Sequence, residues 1–430
     1  MQCFVQRLFI PRLMCKVGSL ICALTTVLGA LQTSYCLPDS AAKDPDVRWV
    51  STWATAMQPT DSSFNRQTIR MTVRTALGGD QVRIRLSNHF GTEALIIGEA
   101  HVALHDHGPA IVPGTDRTLS FSGRASVSIP PGGYIISDPV PLQVSPLGHL
   151  AITVYVPETT GMTTGQGVGL RTTYISPTGN FAGETIMPVA STSVAYYWLA
   201  EVYAAHSAPA ALIVAFGDSI TNGYLSTNDA DGSWPSILGE LLRHRSSGAD
   251  ISVINEGVGG NRILLPSHDS SGSNALARFD RDALDHPHVS AIIFLEGIND
   301  IGSDPSPDGK IVTAGELEAA TQQIITRCHL RGIKIIGGTL PPYGGAPYFS
   351  VNGEQTRKAF NEWIRNSDSF DAVIDFDEAL QDPNQADRFA PAYDSGDHLH
   401  PGAAGYAAMA GAAARVVGRL RERGYFEHSR

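Results

Sequence analysis

Four short blocks of this chain hold side chains that could do chemistry together. Gly217-Asp218-Ser219 interrupts an apolar run, Asn255-Glu256-Gly257-Val258-Gly259-Gly260 follows a second run, Gly297-Ile298-Asn299-Asp300 a third, and Asp397-His398-Leu399-His400 precedes the last helical stretch. A hydroxyl nucleophile needs a base for its proton, the base needs a partner to fix its tautomer, and the developing oxyanion needs preorganised donors. Ser219, His400, Asp397 and Asn299 are of the right types for acyl transfer, and the glycines let a backbone N–H approach a substrate oxygen. Taken singly, each block reads as a turn, a cap or a bend; their order and shared setting make the case. His398 competes with His400, but its spacing of one from Asp397 turns it away, so His400 is the expected base. Asp218 and Asp300 read as turn or cap residues.

The setting is a change of periodicity near residue 200. From about Trp49 to Leu199 apolar residues alternate: Ile69, Met71 and Val73, then Val82, Ile84 and Leu86, with Gly78-Gly79-Asp80 between them as a hairpin signal and Pro130-Pro131-Gly132-Gly133 as a further turn. No long amphipathic helix is evident there, which predicts an antiparallel β-sandwich or jelly-roll-like domain over 45–200. Residues 201–210 read as a linker. Over 211–425 short β-rich runs (211–216, 251–254, 291–295, 333–338, 372–376) alternate with helical patterns, among them one opened by Trp234-Pro235 and one capped by Thr313-x-x-Glu316 and ended by Gly332. Alternation of this kind predicts a parallel sheet flanked by helices, and ligands of such sheets bind beyond the carboxyl ends of the strands. All four blocks would converge on that rim.

Composition narrows the partners. The chain has 430 residues and a formal net charge of −11, without the basic clusters a nucleic-acid surface needs. Arg7, Arg12 and Lys16 precede the uncharged stretch Val17–Leu31, the layout of a secretory signal, so residues 1–36 are expected to be removed and the product to be secreted or periplasmic, with no stable membrane insertion. Loss of three basic side chains would take the net charge to −14. Four of five cysteines lie in or beside this leader; Cys328 stands alone in a helical pattern and reads as a small buried hydrophobe, with a Cys36–Cys328 bridge the most an exported form could make. His105/His107 and His286/His288 lack a readable third ligand and are expected in solvated loops. No phosphate loop, HExxH or CxxC motif occurs, and no cofactor or metal is expected.

The four blocks, in order from about Ala211 to the C-terminal helix, resemble those of the SGNH/GDSL hydrolase superfamily. The resemblance implies a flavodoxin-like three-layer α/β/α domain of five parallel strands, Ser219 as nucleophile, Asp397 and His400 completing a triad, and an oxyanion hole from the N–H groups of Ser219 and Gly260 (or Gly259) with the Asn299 amide. The chain departs from the family pattern in reading GDSI rather than GDSL and in placing Glu296 before Gly297, where it would touch substrate or cap a loop. Ser219 lies outside a GxSxG elbow, which disfavours the α/β-hydrolase fold. The β-rich half is similar in pattern to that of exported two-domain bacterial esterases. The expected activity is hydrolysis of carboxylic esters, short-acyl (acetyl) esters on small molecules or polysaccharide first. The alternatives are a lipase or lysophospholipase on longer chains and an inactive carbohydrate-binding protein. Trp49, Trp53 or Tyr174 would carry a sugar-binding face, against a plain supporting wall.

Overall fold

The computed structural model describes residues 48–243, 250–266, 272–302 and 312–426, which belong to one compact unit. The leader, its cleavage and Cys36 lie outside the described residues. Among the described residues no helix is long and apolar enough to cross a membrane.

The first half is built from antiparallel strands, as its period-two pattern requires. A five-stranded sheet contains Arg48–Ala54, Leu199–His206 and Gly79–Ser87, and a six-stranded sheet is centred on Gln67–Arg74 and His149–Val156. Ile69, Met71 and Val73 from one sheet and Val82, Ile84 and Leu86 from the other are fully buried in a common core. Gly78-Gly79 is not a hairpin turn. The strands on either side of it belong to different sheets, and the glycines are required because a Cβ on Gly78 would come 2.4 Å from the Val144 carbonyl and one on Gly79 2.2 Å from that of Ala205. Close backbone approach, not turn geometry, selected them. Pro130–Gly133 does turn, with Gly133 N–H donating to Pro130 O at 3.0 Å.

The second half is an open parallel sheet with strand order Asp250–Gly257, Ala210–Gly217, Val289–Leu295, Lys334–Gly338, Ala372–Ile374. This is the doubly wound order that begins on the second strand and reverses beside the first. Helices Trp234–Arg243 and Ala403–Glu422 pack on each other, as do Ala314–Leu330 and Val351–Asn366. The capping box is present: Thr313 accepts from Glu316 N–H while the Glu316 carboxylate reaches back to the Thr313 N–H. Cys328 is buried in that helix as a free thiol, its ionisation pushed up to about 12 by burial. Leu199–His206 is strand, so of 201–210 only residues 207–209 separate the antiparallel sheet from the first parallel strand.

Candidate active site

Strand register brings the blocks to one level. Gly217 is paired with Gly257 on one side and Leu295 on the other, so Ser219, the Gly259-Gly260 bend and Gly297–Asn299 leave the sheet side by side. A Cβ at Gly217 would lie 2.3 Å from the Leu295 carbonyl and one at Gly257 2.2 Å from the backbone nitrogen of Asn222; only glycine lets the neighbouring strand and the Ser219–Asn222 helix come this close. Asp218 caps the four-residue Ser219–Asn222 helix by accepting from Ile220 N–H at 2.8 Å, which sets Ser219 at its first turn.

Ser219 Oγ is 2.8 Å from His400 Nε2, across 181 residues of chain. His400 Nδ1 is 2.6 Å from Asp397 Oδ2. The Asp397–His400 segment is a side-chain-closed turn rather than a helical one: Asp397 Oδ1 accepts from Leu399 N–H at 2.9 Å and His400 N–H at 2.8 Å, and Ser395 Oγ donates to it at 2.9 Å. His398 adopts the left-handed region (φ +62°) and pairs with Asp394 instead. Burial lowers the His400 pKa against the opposing pull of Asp397, while the hydrogen bonds from the His400 backbone and ring hold Asp397 down at about 2, overcoming the burial that would raise it. This favours a neutral His400 imidazole beside an ionised Asp397.

Gly260 has φ +68°, a conformation natural to glycine, while a Cβ on Gly259 would meet no atom within 4 Å. Asn299 lies in the first turn of the Ile298–Gly302 helix; its Nδ2 donates to Asn261 O at 3.0 Å and its Oδ1 accepts from the Tyr348 hydroxyl at 3.4 Å. Asp300 accepts from Ile263 and Leu264 N–H groups at 2.7 and 3.0 Å, tying the loop after Gly260 to that helix. Asp218 and Asp300 thus hold loops, as their turn-like contexts suggest.

Glu296 neither touches the surface nor caps a loop. It is 1% exposed and neither carboxylate oxygen has a hydrogen-bond partner; burial, reinforced by Asp218 and Asp300, pushes its pKa well above the ordinary range and favours the protonated form. Nor is His286 in a solvated loop. Its ring is buried with Nδ1 2.8 Å from Glu201 and Nε2 3.2 Å from Glu256, and these carboxylates raise its pKa against desolvation. His105 meets the Gly108 carbonyl at 3.0 Å, and no cluster of three metal-ligating side chains occurs among the described residues. Trp53 packs edge-on against Tyr196 at 4.8 Å within the antiparallel half, and Trp49 lies under Arg83.

Two residues at the site carry no signal in the sequence. Arg278, fully buried, donates to Gly217 O at 2.8 Å, Glu256 O at 2.9 Å and Asn261 Oδ1 at 2.8 Å, clamping the ends of two strands from below. Tyr224 sits edge-on to the His400 ring at 4.8 Å. Neither an isolated arginine in a helix nor a tyrosine in a loop announces such a partner.

A hydroxyl, an imidazole and a carboxylate in hydrogen-bonded sequence at the carboxyl rim of an open parallel sheet define a serine-type hydrolase. Residues 215–408 match the model of the GDSL-like lipase/acylhydrolase family, which places this part of the chain in the SGNH/GDSL hydrolase superfamily. It is a carboxylic ester hydrolase. Among solved structures the chain is similar to the native aryl esterase of M. smegmatis (18% identity, covering 49% of this chain and 99% of that one, TM-score 0.39). It is similar also to an acetyl xylan esterase (20%, 47% and 97%, TM-score 0.36) and to a carbohydrate acetylesterase from Sinorhizobium meliloti (16%, 49% and 99%, TM-score 0.39). No curated protein matches the sequence at a significant level.

Proposed function

We propose that the chain is an exported serine esterase acting on short-acyl esters, acetyl groups on polysaccharide foremost, with Ser219 as nucleophile, His400 as base and then acid, and Asp397 as its orienting partner. The 2.8 Å contact between Ser219 Oγ and His400 Nε2 carries the reading. As Oγ attacks the ester carbonyl, its proton passes to Nε2 and the carbonyl oxygen becomes an oxyanion, for which the Ser219 and Gly260 N–H groups and the Asn299 amide are the assigned donors. Collapse expels the alcohol with the proton from Nε2, leaving an acyl-serine. Water then attacks in the reverse sense and frees the acid. Every proton in this cycle moves through one imidazole, and no cofactor is called for.

A short acyl group is favoured by the closeness of the site, where Ser219 and His400 are 8% and 7% exposed. The acidic net charge disfavours anionic lipid surfaces. Export rests on the basic and apolar leader.

Ser219→Ala should abolish hydrolysis of a short-chain nitrophenyl ester while leaving the far-ultraviolet spectrum unchanged; full activity in that variant sinks the proposal. Rates on acetyl against octanoyl esters, and on acetylated xylan and pectin, decide between the short-acyl reading and a lipase. The mass of the protein from culture medium shows whether residues 1–36 are lost.

A further inference from the structure

One stretch of the antiparallel half, Gln166–Thr172, touches the loops of the candidate triad at nearly every residue. Gln166, almost wholly buried, donates Nε2 to the Gly257 carbonyl at 3.0 Å, at the root of the Gly259-Gly260 bend. The Val168 carbonyl accepts from the side chain of Asn222, last residue of the Ser219 helix, at 3.0 Å. Leu170 O accepts from Asp229 N–H at 2.9 Å. Thr172 returns two bonds to the Asp229 carboxylate, from N–H at 2.8 Å and Oγ1 at 2.6 Å. Arg171 forks onto Asp231, with Nε 2.9 Å from Oδ1, and Asp231 also meets Arg74 and His149, each at 3.3 Å.

The loop gripped in this way carries three non-glycine residues in an uncommon backbone conformation. Leu225, Asp229 and Asp231 all have left-handed φ (+65°, +63° and +52°), a conformation that aspartate tolerates and that costs free energy at leucine. At the head of the loop Tyr224 stands edge-on to His400, its carbonyl accepting from the Tyr406 hydroxyl at 2.6 Å. Contacts thus run from the antiparallel half to the Ser219 helix, to the root of the glycine bend and to the loop whose head, Tyr224, stands beside His400.

We propose that Gln166–Thr172 is a positioning strap, through which the antiparallel half holds the Ser219 helix, the Gly257–Gly260 bend and the Tyr224 loop in their reactive arrangement. The inference rests on the reading of Ser219, His400 and Asp397 as the triad. Gln166, Arg171 and Asp231 are then positioning residues, and the antiparallel half governs turnover as well as stability. Reaction rates are sensitive to placement on the scale of about 1 Å, which a network of directional polar contacts restrains better than apolar packing does.

Steady-state kinetics of the full chain on a short-chain nitrophenyl ester test this. Wild type active and Ser219→Ala inactive establishes the underlying reading separately; if Ser219→Ala is active, that reading fails first and independently. Asp231→Asn keeps a residue type that tolerates left-handed φ and removes the charge and one of the two oxygens that Arg171 engages, and Gln166→Met keeps the volume and removes the donor. Each is expected to lower kcat by about 10- to 100-fold with KM changed less than about threefold, and Arg171→Lys to retain more kcat than Arg171→Met. The strap is overturned if these variants lose only thermal stability and keep wild-type kcat per folded molecule. Should Asp231→Asn fail to fold, Thr172→Val, which removes one of the two bonds to Asp229, is read in the same way: a severalfold loss of kcat supports the strap and an unchanged kcat overturns it.

Discussion

The amide of Asn299 donates to the backbone carbonyl of Asn261 at 3.0 Å, joining the loops that follow two different strands of the parallel sheet. With Oδ1 facing the Tyr348 hydroxyl, the amide is fixed in orientation and one N–H is engaged, which leaves the second for a substrate oxygen. Asn299→Ala is expected to lower kcat by about 10²- to 10³-fold with KM little changed, the signature of a donor used in the transition state. Steady-state kinetics measure it, and a wild-type kcat would remove Asn299 from the oxyanion hole.

Two histidines stand two residues apart, and the structure gives them different partners: His400 meets Ser219, His398 meets Asp394. Removal of a triad base costs on the order of 10⁴ or more in kcat, so His400→Ala should be nearly inactive. His398→Ala should retain activity within about tenfold. A reversal of these outcomes would mean that the base has been misassigned.

The rate should rise with pH. Burial disfavours the imidazolium form of His400, so its pKa lies below the ordinary 6.5, and the neutral ring able to take the serine proton predominates at lower pH than usual. Asp397, held at about 2, stays ionised throughout and adds no second acidic limb in an accessible range. A profile of kcat/KM from pH 4 to 9 should show a single ascending limb with its midpoint under 6.5; a flat profile contradicts the assigned base.

Glu296 is expected to weaken the fold as pH rises. Its folded pKa is raised, so above the ordinary carboxyl value the unfolded chain releases the proton first, binds fewer protons than the folded chain, and is favoured by increasing pH up to the folded pKa. Glu296→Gln keeps the neutral shape and removes this linkage. The Tm of the variant relative to wild type should therefore climb between pH 5 and pH 8, by about 3 °C. A difference in Tm that is constant with pH would show that Glu296 is already ionised in the folded protein.

Sequence alone determined the architecture where pattern and burial coincide. Alternation at Ile69, Met71 and Val73 placed one face of a strand in a core, and short unbroken apolar runs between capped helices could only be strands covered on both faces. Three of the polar blocks follow strand ends directly, because in a parallel sheet the chain must leave each strand at the same rim, while Asp397–His400 lies beyond the last parallel strand, past the Phe376–Leu380 helix and the Gln381–Asp382/Gln385–Phe389 hairpin. Tertiary structure decided what depends on contact between distant segments. Gly78-Gly79 looks like a turn because local conformation and close approach both select glycine, and only the neighbouring strands distinguish the two. His286 and Glu296 look solvent-facing because a charged residue type does not reveal its burial; Glu201 and Glu256 enclose the first, and carboxyl groups beneath the sheet rim crowd the second. Arg278 and the Gln166–Thr172 strap were invisible for the same reason: their partners lie in other elements, and a hydrogen bond across folded space leaves no periodicity along the chain.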